Sequence, residues 1–190
     1  MTDPGTQYLV AWCRFAELAQ RVPDQAWHAP TPCTGWTARQ LLGHVIDGAR
    51  QINAMLTGGP PLVPVTAPVH LDQCAGTDPG ASAQAAADSI ATLAALFDAD
   101  LVVHTPRGKV PMPQLLAVAV IEPVVHAWDL ATATGQPVIF DERTVEALLM
   151  GVEQLGEQLA ATGMYSTAVP VPADAPPLPR LLAALGRQVG

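Results

Sequence analysis

Residues 113–134 read PQLLAVAVIEPVVHAWDLATAT, followed by Gly135. Leu115, Leu116, Val118, Val120, Ile121, Val124, Val125 and Leu130 make the stretch apolar almost all round. That is the pattern of a helix enclosed by others rather than one with a solvated face. Gly135 suits the position just past a helix end, and Pro123 removes the N–H that would bond the Ala119 carbonyl, which predicts a kink inside the run.

An enclosed helix needs neighbours, and the rest of the chain supplies them. Leu9, Val10, Trp12, Cys13, Ala16 and Leu18 recur at spacings of three and four, which predicts a helix over 6–21, ended by Pro23. A turn-rich stretch with Pro30, Pro32 and Gly35 leads to Thr37. Thr37 with Gln40 forms a capping-box pattern and opens a second helix to about residue 57. Residues 58–80 hold five prolines and several glycines and read as a long loop or lid. An Ala-rich helix over 81–97 follows, then a short hairpin-like crossing around 101–110. A further helix over 141–161 opens with Asp141 as its cap, and a Pro-rich tail ends in a short helix over 178–185. The expected fold class is all-α, a four-helix bundle over residues 1–165 with a tail over 166–190.

With 9 Lys plus Arg against 17 Asp plus Glu, the net charge is −8. Nucleic acid is therefore not the expected partner, since phosphate binding needs clustered cations. Pro, Gly or a charge interrupts every apolar run short of a membrane span, and residues 1–5 lack the basic start of a signal peptide, so no membrane association and a cytoplasmic location are expected. Cys13, Cys33 and Cys74 form no CxxC pair, which suits a reducing compartment. A homodimer through outer helix faces is compatible with the pattern, although no heptad seam demands it.

Polar residues interrupt the apolar helix where core is expected. Glu122 and His126 stand four apart, so their side chains leave the helix about 40° apart on one face. A buried carboxylate needs a partner, which is a cation, a proton or a metal. His44 lies at the edge of the apolar stripe of the second helix, where it can point inward. Two imidazoles and a carboxylate suit Zn²⁺, and also Fe²⁺ or Ni²⁺, with positions left for water or substrate. Asp129 falls on nearly the same face as His126 and is a candidate to orient it, as Asp47 is for His44. His28, His70 and His104 lie in turn-rich segments and read as solvated. Cys33, flanked by Pro32 and Thr34 with no adjacent base, reads as structural, and the four tryptophans as core or hinge anchors.

Residues 27–44, WHAPTPCTGWTARQLLGH, and 122–136, EPVVHAWDLATATGQ, resemble the metal-binding domain of the mycothiol-dependent maleylpyruvate isomerase group of the DinB/YfiT-like superfamily. Residues 169–187, VPVPADAPPLPRLLAALGR, are similar to the tail of its short actinobacterial members. The resemblance implies a DinB-like bundle of up-down-down-up type, with a divalent metal held by His44, Glu122 and His126. It also implies a low-molecular-weight thiol, mycothiol, as co-substrate and a small-molecule electrophile. The expected activity is a thiol transferase, detoxification enzyme or isomerase. The group's maleylpyruvate isomerase carries a second, C-terminal domain that contributes to its active site, so maleylpyruvate itself is not the expected substrate. The alternative is a non-enzymatic metal- or ligand-binding bundle, and a third reading keeps the fold without the metal.

Overall fold

The computed structural model describes residues 3–59, 65–94, 100–105, 108–156 and 165–189. It divides into two compact units, 1–138 and 139–190.

In the first unit, helix α1 spans Pro4–Gln20, opened by Asp3, which accepts the Thr6 N–H at 3.0 Å. It buries Tyr8, Trp12, Phe15 and Leu18. A 3₁₀ turn, Asp24–His28, buries Trp27. Helix α2, Ala38–Leu56, starts at the expected capping box: the Gln40 N–H donates to Thr37 Oγ1 at 3.3 Å and the Thr37 N–H to Gln40 Oε1 at 3.1 Å. Helix α4, Pro79–Leu93, begins at Asp78 and lies two residues earlier than the Ala pattern indicated; residues 95–99 of that expected helix are outside the described residues. Strands β1, Val102–Thr105, and β2, Gly108–Pro111, form an antiparallel pair with Val103 opposite Val110, the expected crossing.

The 58–80 segment is not all loop. Helix α3, Pro68–Cys74, lies within it, with Pro68 at the first helical position, where its missing N–H costs nothing. It packs on α2 at Gly43, where an added Cβ would stand 2.0 Å from the Leu71 carbonyl oxygen. Only glycine permits that approach.

The apolar run forms two helices, α5, Met112–Ala119, and α6, Ile121–Thr134, divided at Val120. The division is the consequence of Pro123. The Ala119 carbonyl receives no N–H from Pro123, and the helix restarts so that Pro123 falls in the first turn of α6, where N–H groups have no intrahelical partner anyway. Gly135 ends α6 in the left-handed conformation, φ 67°. Helix α1 packs on α4, α5 and α6, and α2 on α4 and α6. The four rods α1, α4, α2 and α5–α6 thus close a ring, which is the expected bundle. The span Met112–Thr134 is long and apolar enough by composition to cross a membrane, with mean hydropathy 1.5, and 61% of that window is buried within the protein.

In the second unit, α7, Glu142–Leu155, opens with Asp141 accepting the Thr144 N–H at 2.9 Å and packs on α8, Pro177–Ala184. Val145, Leu148, Leu149 and Val152 are buried, as are Leu181, Leu182 and Leu185. By contact α7 groups with the tail helix, so the compact unit that holds the tail runs from 139 to 190. Residues 157–161 of the expected fifth helix lie outside the described residues.

Candidate metal centre

The rods α2 and α5–α6 face each other along α2 and α6, and their polar residues meet there. His44 Nε2 lies 3.1 Å from Glu122 Oε2, and His126 Nε2 lies 3.3 Å from the same oxygen. One ligand atom from each of the three residues falls within 4.8 Å of the other two. Donors around one cation at the usual Zn–N and Zn–O lengths stand roughly 3.4 Å apart. The set therefore fits a shared divalent ion with little adjustment. The restart at Val120 leaves Glu122 and His126 in one uninterrupted helix, so Pro123 does not disturb their common aim.

The donors differ in depth. The His126 side chain is 6% exposed, Glu122 24% and His44 31%, so the set opens toward solvent on the His44 and Glu122 side. The Trp36 ring lies against His44, with centroids 4.7 Å apart, and His44 meets His126 edge to face at 5.3 Å.

Asp129, fully buried, holds the other nitrogen of His126: Oδ2 stands 2.9 Å from Nδ1. A carboxylate only accepts, so without a metal the ring donates Nδ1–H to Asp129 and Nε2–H to Glu122; a cation at the site would replace the Nε2 proton while Asp129 keeps the hydrogen on Nδ1. Asp47, read from the sequence as a partner for His44, is engaged elsewhere. It is buried and accepts the Gln51 amide at 2.8 Å and the Val65 N–H at 2.9 Å. The spacing is that of His126 and Asp129, but here the Gln51 amide and the chain entering at Val65 supply the donors that satisfy the carboxylate.

The electrostatics follow from the same contacts. Burial alone would raise the Glu122 pKa, but the hydrogen bonds and positive charge of His126 and His44 outweigh it and hold the carboxyl well below its ordinary value. Burial alone would lower the His126 pKa; Asp129, the Cys33 sulfur and Glu122 together hold it well above the usual imidazole value.

Two residues in this neighbourhood had no functional reading in the sequence. Cys33 does have a base beside it, since its Sγ stands 3.2 Å from Asp129 Oδ2 and 3.9 Å from His126 Nδ1. Trp36 is not simply a core anchor but packs on a candidate ligand. His28, His70 and His104 are exposed, as expected.

Residues 8–131 match the family described as the mycothiol maleylpyruvate isomerase N-terminal domain. The chain belongs to this family. Two uncharacterised proteins from two strains of Mycobacterium tuberculosis are each 31% identical to it over 189 residues, covering 98% of this chain and 99% of theirs. Among solved structures, the mycothiol-dependent maleylpyruvate isomerase is similar in fold, with a TM-score of 0.63 at 18% identity over 83% of this chain and 75% of that one. A histidine-to-alanine mutant of that enzyme gives 0.59 at 17% identity, with the same coverage. The helical, DinB-like fold is thereby established independently of the helix pattern.

Proposed function

We propose that this family member is a metal- and mycothiol-dependent transferase, detoxification enzyme or isomerase acting on a small electrophile. The observation that carries the reading is the convergence of His44, Glu122 and His126 on one point, with exposure rising from His126 to His44. His44, Glu122 and His126 would hold a divalent cation, zinc foremost and nickel or iron as alternatives, which when bound would lower the pKa of a thiol and make thiolate available near neutral pH.

The chain's residues have separable tasks in this scheme. His126, pinned through Nδ1 by Asp129, presents Nε2 in a fixed direction. Glu122 sets its negative charge between two imidazoles and offsets part of a cation's charge. His44, the most exposed donor, borders the face from which thiol and electrophile approach. Trp36 supplies an apolar wall on that side, which limits water around the reacting atoms.

A purely structural metal bundle would close the fourth position with a protein ligand. Asp47 is bonded to Gln51 and Val65, and Asp129 lies on the far nitrogen of His126, so neither is among the converging donors. That favours the enzymatic reading. The test mixes zinc-loaded protein with mycothiol and a panel of electrophiles and follows thiol consumption against His126→Ala. Turnover in the native protein and loss in the variant is the expected result; equal rates refute the proposal.

A further inference from the structure

Cys33 lies outside the three-donor set, but the same oxygen, Asp129 Oδ2, stands 2.9 Å from His126 Nδ1 and 3.2 Å from the Cys33 sulfur. Asp129 is fully buried, and a buried carboxylate is held in one orientation by the donors that reach it. The His126 ring is one such donor and the Cys33 S–H is a second, approaching from a different element. Without the thiol, the carboxylate has one restraint fewer on its rotation about χ2, and the ring it steers loses definition with it.

The sulfur is itself held. The Cys33 N–H donates to Thr31 Oγ1 at 3.2 Å, the Trp36 N–H donates to the Cys33 carbonyl at 3.1 Å, and the Thr31 N–H donates to the Trp36 carbonyl at 3.1 Å. The Thr31 hydroxyl lies 3.1 Å from the Cys33 carbonyl and 3.0 Å from that of Trp36. A bridge between Pro30 and Thr37 joins this turn to the capping box of α2. The turn is therefore anchored to the helix that carries His44 and places one side chain against each imidazole region: Trp36 on His44, and Cys33 on the Asp129 that holds His126.

We propose that Cys33 is a positioning residue for His126, acting through Asp129: its thiol donates to Oδ2 and fixes the carboxylate that sets the tautomer and aim of the imidazole. The inference rests on His126 being a metal ligand, as proposed above, but the hydrogen-bonded chain Cys33–Asp129–His126 exists without a metal and can be read separately.

The experiment uses the full chain with Cys33→Ala, Cys33→Ser, Asp129→Asn and the double variant Cys33→Ala/Asp129→Asn, each checked for native helix content. Zinc affinity is measured by competition with a chromophoric chelator. Direct partners of a ligand histidine are worth about 10–100-fold in metal affinity, so Asp129→Asn is expected to fall in that range and Cys33→Ala, one bond further out, at about 3–10-fold. Cys33→Ser, which keeps a hydroxyl donor, restores most of the loss. Adding Cys33→Ala to Asp129→Asn costs nothing more, because the thiol acts through the carboxylate.

The second readout is the ring-nitrogen NMR of His126 in chelator-treated protein. Cys33→Ala is expected to shift the resonance of the Nδ1–H that donates to Asp129, and Cys33→Ser to reverse the shift. An unchanged affinity and Nδ1–H resonance in Cys33→Ala, additive losses in the double variant, or a Ser variant no better than Ala each overturn the proposal, the last by showing that sulfur packing alone matters. If the native protein binds no zinc, the metal reading fails, and the NMR result alone decides the role of Cys33.

Discussion

Replacing Gly43 with alanine sets two effects of known size against each other. Alanine in a helix interior is better than glycine by about 1 kcal/mol. At Gly43, however, the new methyl would stand 2.0 Å from the Leu71 carbonyl oxygen and 2.7 Å from its carbon, both main-chain atoms of α3. Relief requires α3 to move by more than an ångström from α2, and overpacking of this kind costs about 1–3 kcal/mol, with immovable backbone favouring the upper end. Clash therefore exceeds propensity, and a net loss of about 1–2 kcal/mol is expected, a fall in Tm of about 2–8 °C for a chain of this size. Gly48 is the internal control. It lies on the same helix with nothing within 4 Å of an added Cβ, so Gly48→Ala should gain up to about 1 kcal/mol. Urea and thermal unfolding of both variants are compared with the native chain. If Gly43→Ala is as stable as Gly48→Ala, the close packing of α3 on α2 is wrong.

Metal-free protein should be most stable where both site pairs are charged. The Glu122 contribution is present above its ordinary pKa of 4.5 and is lost as pH falls through its lowered folded value; the His126 contribution is complete below 6.5 and is lost as pH rises through its raised folded value. The stability difference between native protein and His126→Gln, measured in chelator by urea titration, should thus be largest between about pH 4.5 and 6.5 and shrink toward pH 9; a difference that grows with pH contradicts the charge assignment. Thr37→Ala removes one half of the capping box and is expected to cost about 1 kcal/mol by the same assay, with no loss counting against the cap. Nickel added to the native protein should quench part of the tryptophan emission, because Trp36 lies 4.7 Å from His44. Trp36→Phe should abolish that part, and quenching that persists places the ion elsewhere.

What the sequence made legible is what depends on neighbours a few positions apart. The Thr37–Gln40 box, the Asp141 cap, the Gly135 terminus and the break caused by Pro123 are all local chemistry, and each is found where its residues stand. Glu122 and His126 share a face by helix geometry alone. His44 belongs with them only because α2 packs on α6, a contact that its own stripe suggested and the family resemblance sharpened. Helix α3 was hidden because it is seven residues long and buries only Leu71 and Cys74; its stability comes from packing on α2 rather than from its own pattern. The contact of Cys33 with Asp129 is hidden for a related reason: the two stand 96 positions apart, beyond anything a local reading can connect. Asp47 was assigned to the wrong neighbour because spacing gives a direction around a helix, not the loop residue that arrives there.

The interruption at Val120 also acts as a joint. Since the Ala119 carbonyl receives no N–H from Pro123, α5 and α6 need not share one helical register, and a change of phase upstream is absorbed before it reaches Glu122. The oily half of the rod can therefore be resized or repacked by substitution while the half bearing the carboxylate and imidazole keeps its bearing on α2. Tolerance in one segment and constancy in the next come from the same missing hydrogen bond.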